Sequence, residues 1–302
     1  MYNLITILGP TASGKTKLAV KVAEKQNGEI ISADSRQVYR GLDIGSGKDL
    51  SEYHTASGAI PYHLIDIKPV THEYNLFEFQ QDAYQIIKNI WSHQNMPIVC
   101  GGTGMYLQAL LQHYDLRPVP QNNVFRKAIA NFSGHQLTEM LSRYTSLHNQ
   151  TDTEDRARLI RALEIAKYKA DNKLPEHPAI FPVIIGLYFP QDLLRDRITE
   201  RLQFRLKEGM VDEVKNLLQA GVSAQRLKLL GLEYKFVTQY LLGEIKRYND
   251  FYQKLNSAIH QFSKRQMTWF RKMEKDGINI NWIEGELPLS EKLKQLNDFL
   301  VK

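Results

Sequence analysis

Short apolar runs and longer stretches of helical spacing alternate along the first third of the chain. The first run, 4–8, is nearly continuous, as in a strand buried on both faces. Residues 9–14 break it, and 15–25 then carry Leu18, Ala19, Val22 and Ala23 at helical spacing. Further strands are predicted at 29–33, ending at Asp34, and at 62–67. An amphipathic helix is predicted at 76–93 and a strand at 97–100. The turn Gly101-Gly102-Thr103-Gly104 and a helix at 105–112 follow. Strands alternating with helices predict a parallel sheet covered on both faces.

The pattern changes after Tyr114. Residues 115–178 hold two or three helical stretches and no convincing strand, with Pro118, Pro120, Pro175 and Pro178 near the ends as punctuation. The apolar run 181–189 returns the chain to the sheet. Residues 191–220 read as one long helical region. Its Leu194, Ile198, Leu202, Leu206 and Met210 recur every four residues, and Gly221 is the stop. A second long helix is predicted at 249–275 with Phe251, Leu255, Ile259 and Phe262 inward, and a last strand at 278–283. The expectation is an α/β core from 1–114 and 179–302, with an all-helical insert at 115–178.

Composition narrows the class. A chain of 302 residues with 43% hydrophobic and 24% charged residues can build a sizeable core. The net charge of +6 is compatible with a polyanionic partner without proving one. The surplus is uneven: 191–275 holds 17 Lys and Arg against 10 Asp and Glu, whereas 115–178 holds 10 against 8. The single cysteine, Cys100, excludes an internal disulfide framework and a multi-cysteine zinc site. No basic leader and no membrane-spanning run is visible, so a cytoplasmic location is expected.

Gly9-Pro10-Thr11-Ala12-Ser13-Gly14-Lys15-Thr16 matches the phosphate-loop pattern G-x-x-x-x-G-K-[ST], between a predicted strand and a predicted helix. Glycines let the backbone wrap an anion, and successive N–H groups at a helix start face the phosphates. Lys15 adds a point charge, and the Thr16 hydroxyl can ligate Mg²⁺. The fold class is therefore a P-loop NTPase-like parallel sheet covered by helices. The loop alone does not name a reaction, because NTPases, kinases and some transferases share it.

In an open α/β sheet, ligands bind at the carboxyl ends of strands. Two further segments should end beside the loop. In the first, Asp34 can hold Mg²⁺, act as a general base or simply cap a turn. In the second, Thr103 can donate to a phosphate oxygen or cap the helix that follows.

Three segments in the first half of the chain then form an ordered set. They are the phosphate loop, Asp34-Ser35-Arg36-Gln37-Val38-Tyr39-Arg40-Gly41-Leu42-Asp43-Ile44-Gly45, and Gly101-Gly102-Thr103-Gly104-Met105-Tyr106. Three more follow: Arg158-Leu159-Ile160-Arg161-Ala162-Leu163-Glu164, Gly209-Met210-Val211-Asp212-Glu213-Val214, and Lys264-Arg265-Gln266-Met267-Thr268-Trp269-Phe270-Arg271. With this set the chain resembles the tRNA isopentenyltransferase (dimethylallyltransferase) family over essentially its whole length.

The resemblance implies transfer of a dimethylallyl group from its pyrophosphate to N6 of the adenosine just 3′ of a tRNA anticodon. The phosphate loop then holds the leaving pyrophosphate, with Mg²⁺. By similarity Asp34 is the base, Thr103 and Lys15 act at the reacting centre, and Ser35, Arg36 and Gln37 contact the RNA. Arg126, Arg158, Arg161 and Arg265 are implied tRNA contacts, the insert gripping the anticodon stem-loop. The target base must be flipped out to reach the donor. The expected partners are tRNA and dimethylallyl pyrophosphate, with no membrane, and the chain is expected to act as a monomer.

One segment departs from the family pattern. Gly231-Leu232-Glu233-Tyr234 places an acid where relatives often carry a basic residue. Other readings are an adenylate prenyltransferase, a P-loop small-molecule kinase and an RNA-binding protein with a degenerate loop. The insert and the basic C-terminal helices favour tRNA over a free nucleotide. No NTP base site or phosphoacceptor site is visible for a kinase, and intact Lys15 and Thr16 argue against a degenerate loop.

Overall fold

The computed structural model describes residues 2–144, 155–173 and 176–301. Pro175 and the 145–154 part of the predicted insert lie outside the described residues. The chain divides into two compact units, 1–114 with 178–302, and 115–177.

The first unit begins with β1 (Leu4–Leu8), α1 (Lys15–Gln26) and β2 (Gly28–Ser32). A small hairpin, β3 (His54–Thr55) with β4 (Gly58–Ala59), precedes β5 (Tyr62–His63), α2 (Leu76–Ser92), β6 (Met96–Gly101) and α3 (Gly104–Leu111). The second unit contains α4 (Asn123–Ala128), α5 (Gly134–Ser142) and α6 (Arg156–Asp171). The first unit resumes with β7 (Pro182–Tyr188), α7 (Gln191–Lys207), α8 (Met210–Gln219), α9 (Ala224–Lys228) and α10 (Leu232–Leu241). It ends with α11 (Tyr248–Lys275), β8 (Asn281–Glu284) and α12 (Leu289–Val301).

Six strands form one parallel sheet in the order β5-β2-β6-β1-β7-β8. Successive side chains on a strand face opposite ways, which sorts the apolar runs into two cores. Leu4, Leu8, Ile31, Val99 and Ile184 pack with Phe79, Ala83 and Ile87 of α2, Leu107 of α3 and Phe270 of α11. Ile5, Ile7, Ile30, Ile98, Ile185 and Leu187 pack with Leu18 and Val22 of α1 and Leu293 and Leu296 of α12. Truncating any one of these buried leucines, isoleucines or phenylalanines to alanine removes about 2–5 kcal/mol.

Three sequence expectations change. The strand predicted at 62–67 stops at His63, because Leu64 (φ 62°) and Asp66 (φ 57°) turn into the left-handed region, which no strand continues. The single helix predicted at 191–220 is two, α7 and α8, separated at Gly209 with φ 101°. Phe262, expected inward, is 38% exposed, and the polar Ser263 and Gln266 are buried instead. Helices α9 and α10 were not foreseen; Leu227, Tyr234 and Val237 anchor them in the first core.

The second unit has its own small core of Ile129, Leu137, Leu141, Leu159 and Leu163. Asn122 and Ser133 accept from backbone N–H groups to cap α4 and α5. Among the described residues, no helix is long and apolar enough to cross a membrane.

Candidate active site

Three strand ends meet at one edge of the sheet. β1 runs into the phosphate loop, β2 into Asp34 and β6 into Thr103, as the central order β2-β6-β1 requires. Beside them lies a cleft of about 800 Å³. Thr11, Ala12, Gly14, Lys15 and Thr16 line it, with Asp34, Ser35, Arg36, Gln37, Thr103 and Arg265. Gly9, Pro10 and Ser13 are not part of its lining and shape the loop from beneath, where the Ser13 N–H donates to Pro10 O at 3.3 Å.

Helix α1 begins with no side-chain cap and no acid in its first turn. Its first N–H groups are thus left to an anion. Lys15 Nζ reaches Pro10 O only at 3.5 Å, so most of its donor capacity faces the cleft. Burial, and next to it the positive charges of Arg201 and Arg205, hold the Lys15 ammonium below its ordinary pKa, although Cys100 and Asp34 oppose the shift. Cys100 lies on the floor beside it, and burial pushes its thiol up to about 12, so it is no thiolate at neutral pH.

Helix α7 supplies a ladder of cations that sequence reasoning passed over. Arg197, Arg201 and Arg205 recur at intervals of four and all line the cleft. Arg197 Nε donates to Ala12 O at 3.0 Å and the guanidinium lies 4.9 Å from the Phe189 ring centre. Arg201 donates to the Thr11 hydroxyl. Burial, then the neighbouring Arg205, pulls the Arg201 guanidinium down to about 9. The signal was available as three arginines one position before the Leu194-Ile198-Leu202-Leu206 stripe. A surplus of charge counted over the whole region hid it.

On the other side of the loop, Asp34 Oδ1 accepts the Arg36 N–H at 2.8 Å. This local turn leaves the carboxylate half-buried at the cleft wall. Thr103 occupies the N-cap position of α3, yet its hydroxyl makes no cap bond. It accepts instead from the Ser35 N–H at 3.2 Å, which ties β6 to the Asp34 turn and leaves the hydroxyl proton to donate. Gln37 bonds internally, accepting from Ser32 Oγ at 2.8 Å and donating to Gly47 O at 3.0 Å. It therefore holds the 43–49 loop as well as lining the cleft.

Glu233 stands at the cleft wall. Burial raises its pKa, against the pull of Arg205 and Arg201. An acid here offsets those arginines, where a basic residue would add to them. Exposed Phe204, Leu229 and Phe262 give the cleft an apolar portion that the sequence reading did not assign.

The implied metal can be tested against the donors present. No cluster of three His, Cys, Asp or Glu able to hold a metal occurs among the described residues. Thr16, which lines the cleft next to Lys15, offers a hard hydroxyl oxygen. That fits Mg²⁺, which takes one or two protein oxygens and completes its shell with phosphate oxygens and water.

The remaining predicted residues belong to the second unit. Arg126 makes a two-pronged bond to the buried carboxylate of Glu164, both contacts at 2.8 Å. Arg161 donates to Glu164 at 3.2 Å and to Val119 O at 2.6 Å. Arg158, by contrast, is exposed, with Asp155 only at 3.8 Å. Arg126 and Arg161 thus have a structural role within the unit that the sequence did not reveal.

The family model described as IPP transferase matches residues 37–273, and the one described as isopentenyl transferase matches residues 2–57. The tRNA dimethylallyltransferase 1 of Geotalea daltonii is 50% identical over 295 residues, covering 97% of this chain and 94% of the relative. The tRNA dimethylallyltransferase 2 of Phocaeicola vulgatus is 48% identical over 301 residues, covering 99% and 98%. The crystal structure of a tRNA isopentenylpyrophosphate transferase from Bacillus halodurans superposes with a TM-score of 0.74 at 31% identity. It covers 100% of this chain and 96% of that one. A eukaryotic dimethylallyltransferase acting on tRNA, at 22% identity and a TM-score of 0.71, shares the fold.

Proposed function

The chain belongs to the IPP transferase family, and on that premise we propose how its cleft performs dimethylallyl transfer to tRNA. The donor is dimethylallyl pyrophosphate, and the acceptor is N6 of the adenosine just 3′ of the anticodon. The observation that carries the reading is the convergence of the phosphate loop, Asp34 and Thr103 on one cleft of about 800 Å³.

The reaction breaks the allylic C–O bond and forms a C–N bond to N6. Negative charge grows on pyrophosphate as positive charge grows on the allyl group. The first-turn N–H groups of α1, Lys15 and Arg201 receive the departing anion. Each well-placed donor of this kind is worth about 10²–10³ in rate. Thr103 donates its hydroxyl proton to a pyrophosphate oxygen, and Asp34 accepts the N6 proton as the C–N bond forms. The Thr16 hydroxyl would hold Mg²⁺, which when bound would supply further charge neutralisation on the pyrophosphate. Ser35, Arg36, Gln37 and Arg265 meet the RNA at the cleft, and the exposed Arg158 offers a phosphate contact from the second unit. The chain acts as a monomer in the cytoplasm.

The test is incubation of the protein with Mg²⁺ and labelled dimethylallyl pyrophosphate, together with unmodified tRNA or AMP. Label is expected in tRNA, and digestion should yield N6-isopentenyladenosine. Label appearing only in AMP overturns the tRNA acceptor. Phosphorylation from ATP without prenyl transfer overturns the transferase reading.

A further inference from the structure

Gln266 belongs to one of the segments that carry the family resemblance, yet it has no part in the chemistry above. It sits on α11 at the wall of the cleft and is only 7% exposed, whereas its neighbour Arg265 is exposed. Both ends of its carboxamide are occupied. Oε1 accepts the Thr11 N–H at 2.8 Å, and Nε2 donates to Gly102 O at 2.8 Å. One rigid amide therefore bridges the phosphate loop to the glycine turn after β6. Gly102 must lack a side chain for this, since a Cβ there would stand 2.5 Å from Nε2.

The bridge continues on each side. Thr11 lies within the loop that ends in Lys15 and Thr16. Gly102 precedes Thr103, whose hydroxyl accepts from Ser35 beside Asp34. A connected set of hydrogen bonds thus runs from the leaving-group side of the cleft to the proton-accepting side, with Gln266 in the middle. Helix α11 holds it firmly, because Ser263, Phe270 and Met273 are buried along the same helix.

We propose that Gln266 is a positioning residue that sets the spacing between the pyrophosphate cradle and the Asp34–Thr103 side of the site. The inference rests on the transferase reading. It also predicts a particular kinetic pattern. Donor and acceptor each bind through contacts on their own side, so a small change in spacing leaves ground-state affinity nearly intact. The transition state joins both sides through one carbon, and a misplacement of about 1 Å there costs about 10²-fold in rate. Loss of the bridge therefore lowers kcat and spares both KM values.

Gln266→Met keeps the length and volume of the side chain and removes both bonds. In the full chain, kcat is expected to fall by about 10- to 100-fold, with KM for tRNA and donor within about twofold of wild type. The dissociation constant of pyrophosphate, titrated directly, is expected to change by less than about twofold. A kcat within twofold of wild type overturns the proposal. So does a loss of pyrophosphate affinity as large as the loss of kcat, which would mean that only the cradle had been damaged. Should Gln266→Met not fold, Gln266→Glu decides by the same criteria, since it keeps the acceptor for Thr11 and loses the donor to Gly102. Wild-type transfer to tRNA, measured alongside, tests the parent reading separately.

Discussion

The buried hydroxyl of Tyr234 donates to Glu213 Oε1 at 2.8 Å, and the same carboxylate gathers three backbone N–H groups. Gly45 donates to Oε1 at 3.1 Å, and Asp43 and Ile44 donate to Oε2 at 3.0 and 2.6 Å. An acid on α8 thereby fixes the loop whose Gly45, Ser46 and Gly47 line the cleft. In Glu213→Gln an amide NH₂ would confront those N–H groups, and a loss of about 2–3 kcal/mol is expected in urea unfolding. Tyr234→Phe, which removes one bond, should cost about 1 kcal/mol. Equal stability of all three proteins would remove Glu213 as the anchor of the loop.

Asp34→Asn preserves the shape of the turn and its bond to the Arg36 N–H. It removes the proton acceptor. Single-turnover transfer should slow by about 10²–10⁴-fold, while tRNA binding by filter retention stays close to wild type. Rapid turnover in this variant would assign the proton to another group.

The cleft gathers Lys15, Arg197, Arg201 and Arg205. An anion relieves their mutual repulsion. Pyrophosphate with Mg²⁺ at about a hundred times its Kd is therefore expected to stabilise the protein by about 2.7 kcal/mol, read as a rise in Tm. Lys15→Ala and Arg201→Met should each shrink that rise. A rise in Tm unchanged in both variants would count against these cations as ligands of the anion.

In the second unit, Glu164 is held down to about 2, first by the two-pronged bond from Arg126 and further by the Asn122 N–H and Arg161. Its ordinary value is 4.5. A depressed carboxylate pKa contributes stability that is complete above the ordinary value and lost as pH falls through the folded one. Residues 156–171 should therefore lose hydrogen-exchange protection as pH drops from about 4.5 toward 2, by about 2 kcal/mol once solvent around the two arginines is allowed for. Glu164→Gln should flatten that dependence, and an unchanged profile would exclude Glu164 as its source.

The sheet and its loop were legible because their signals are local. An apolar run at 4–8, the glycine-framed Lys15 and the turn at 101–104 each report their own geometry. What escaped depends on partners distant in sequence. A reading that follows apolar residues placed Phe262 inside, whereas steps of four from Phe251 through Leu255 and Ile259 lead to Ser263. The buried positions there are polar, and Gln266 is one of them because it has a backbone donor and a backbone acceptor to satisfy. Arg126 and Arg161 were expected to contact tRNA, and only the fold brings Glu164 between them.

The break at Gly209 bears on how this enzyme can be engineered for heat resistance. Replacing glycine by alanine is a common route to stability, because it narrows the unfolded ensemble. At Gly209 there is room for a methyl group, the nearest atom to a built Cβ being Asp212 Oδ2 at 3.9 Å. A search guided by free space would therefore select this position. The backbone forbids it, since φ of 101° strains any residue with a side chain. The substitution would press the chain toward one continuous helix and turn the arginines of α7 and Glu213 of α8 out of their relation to each other.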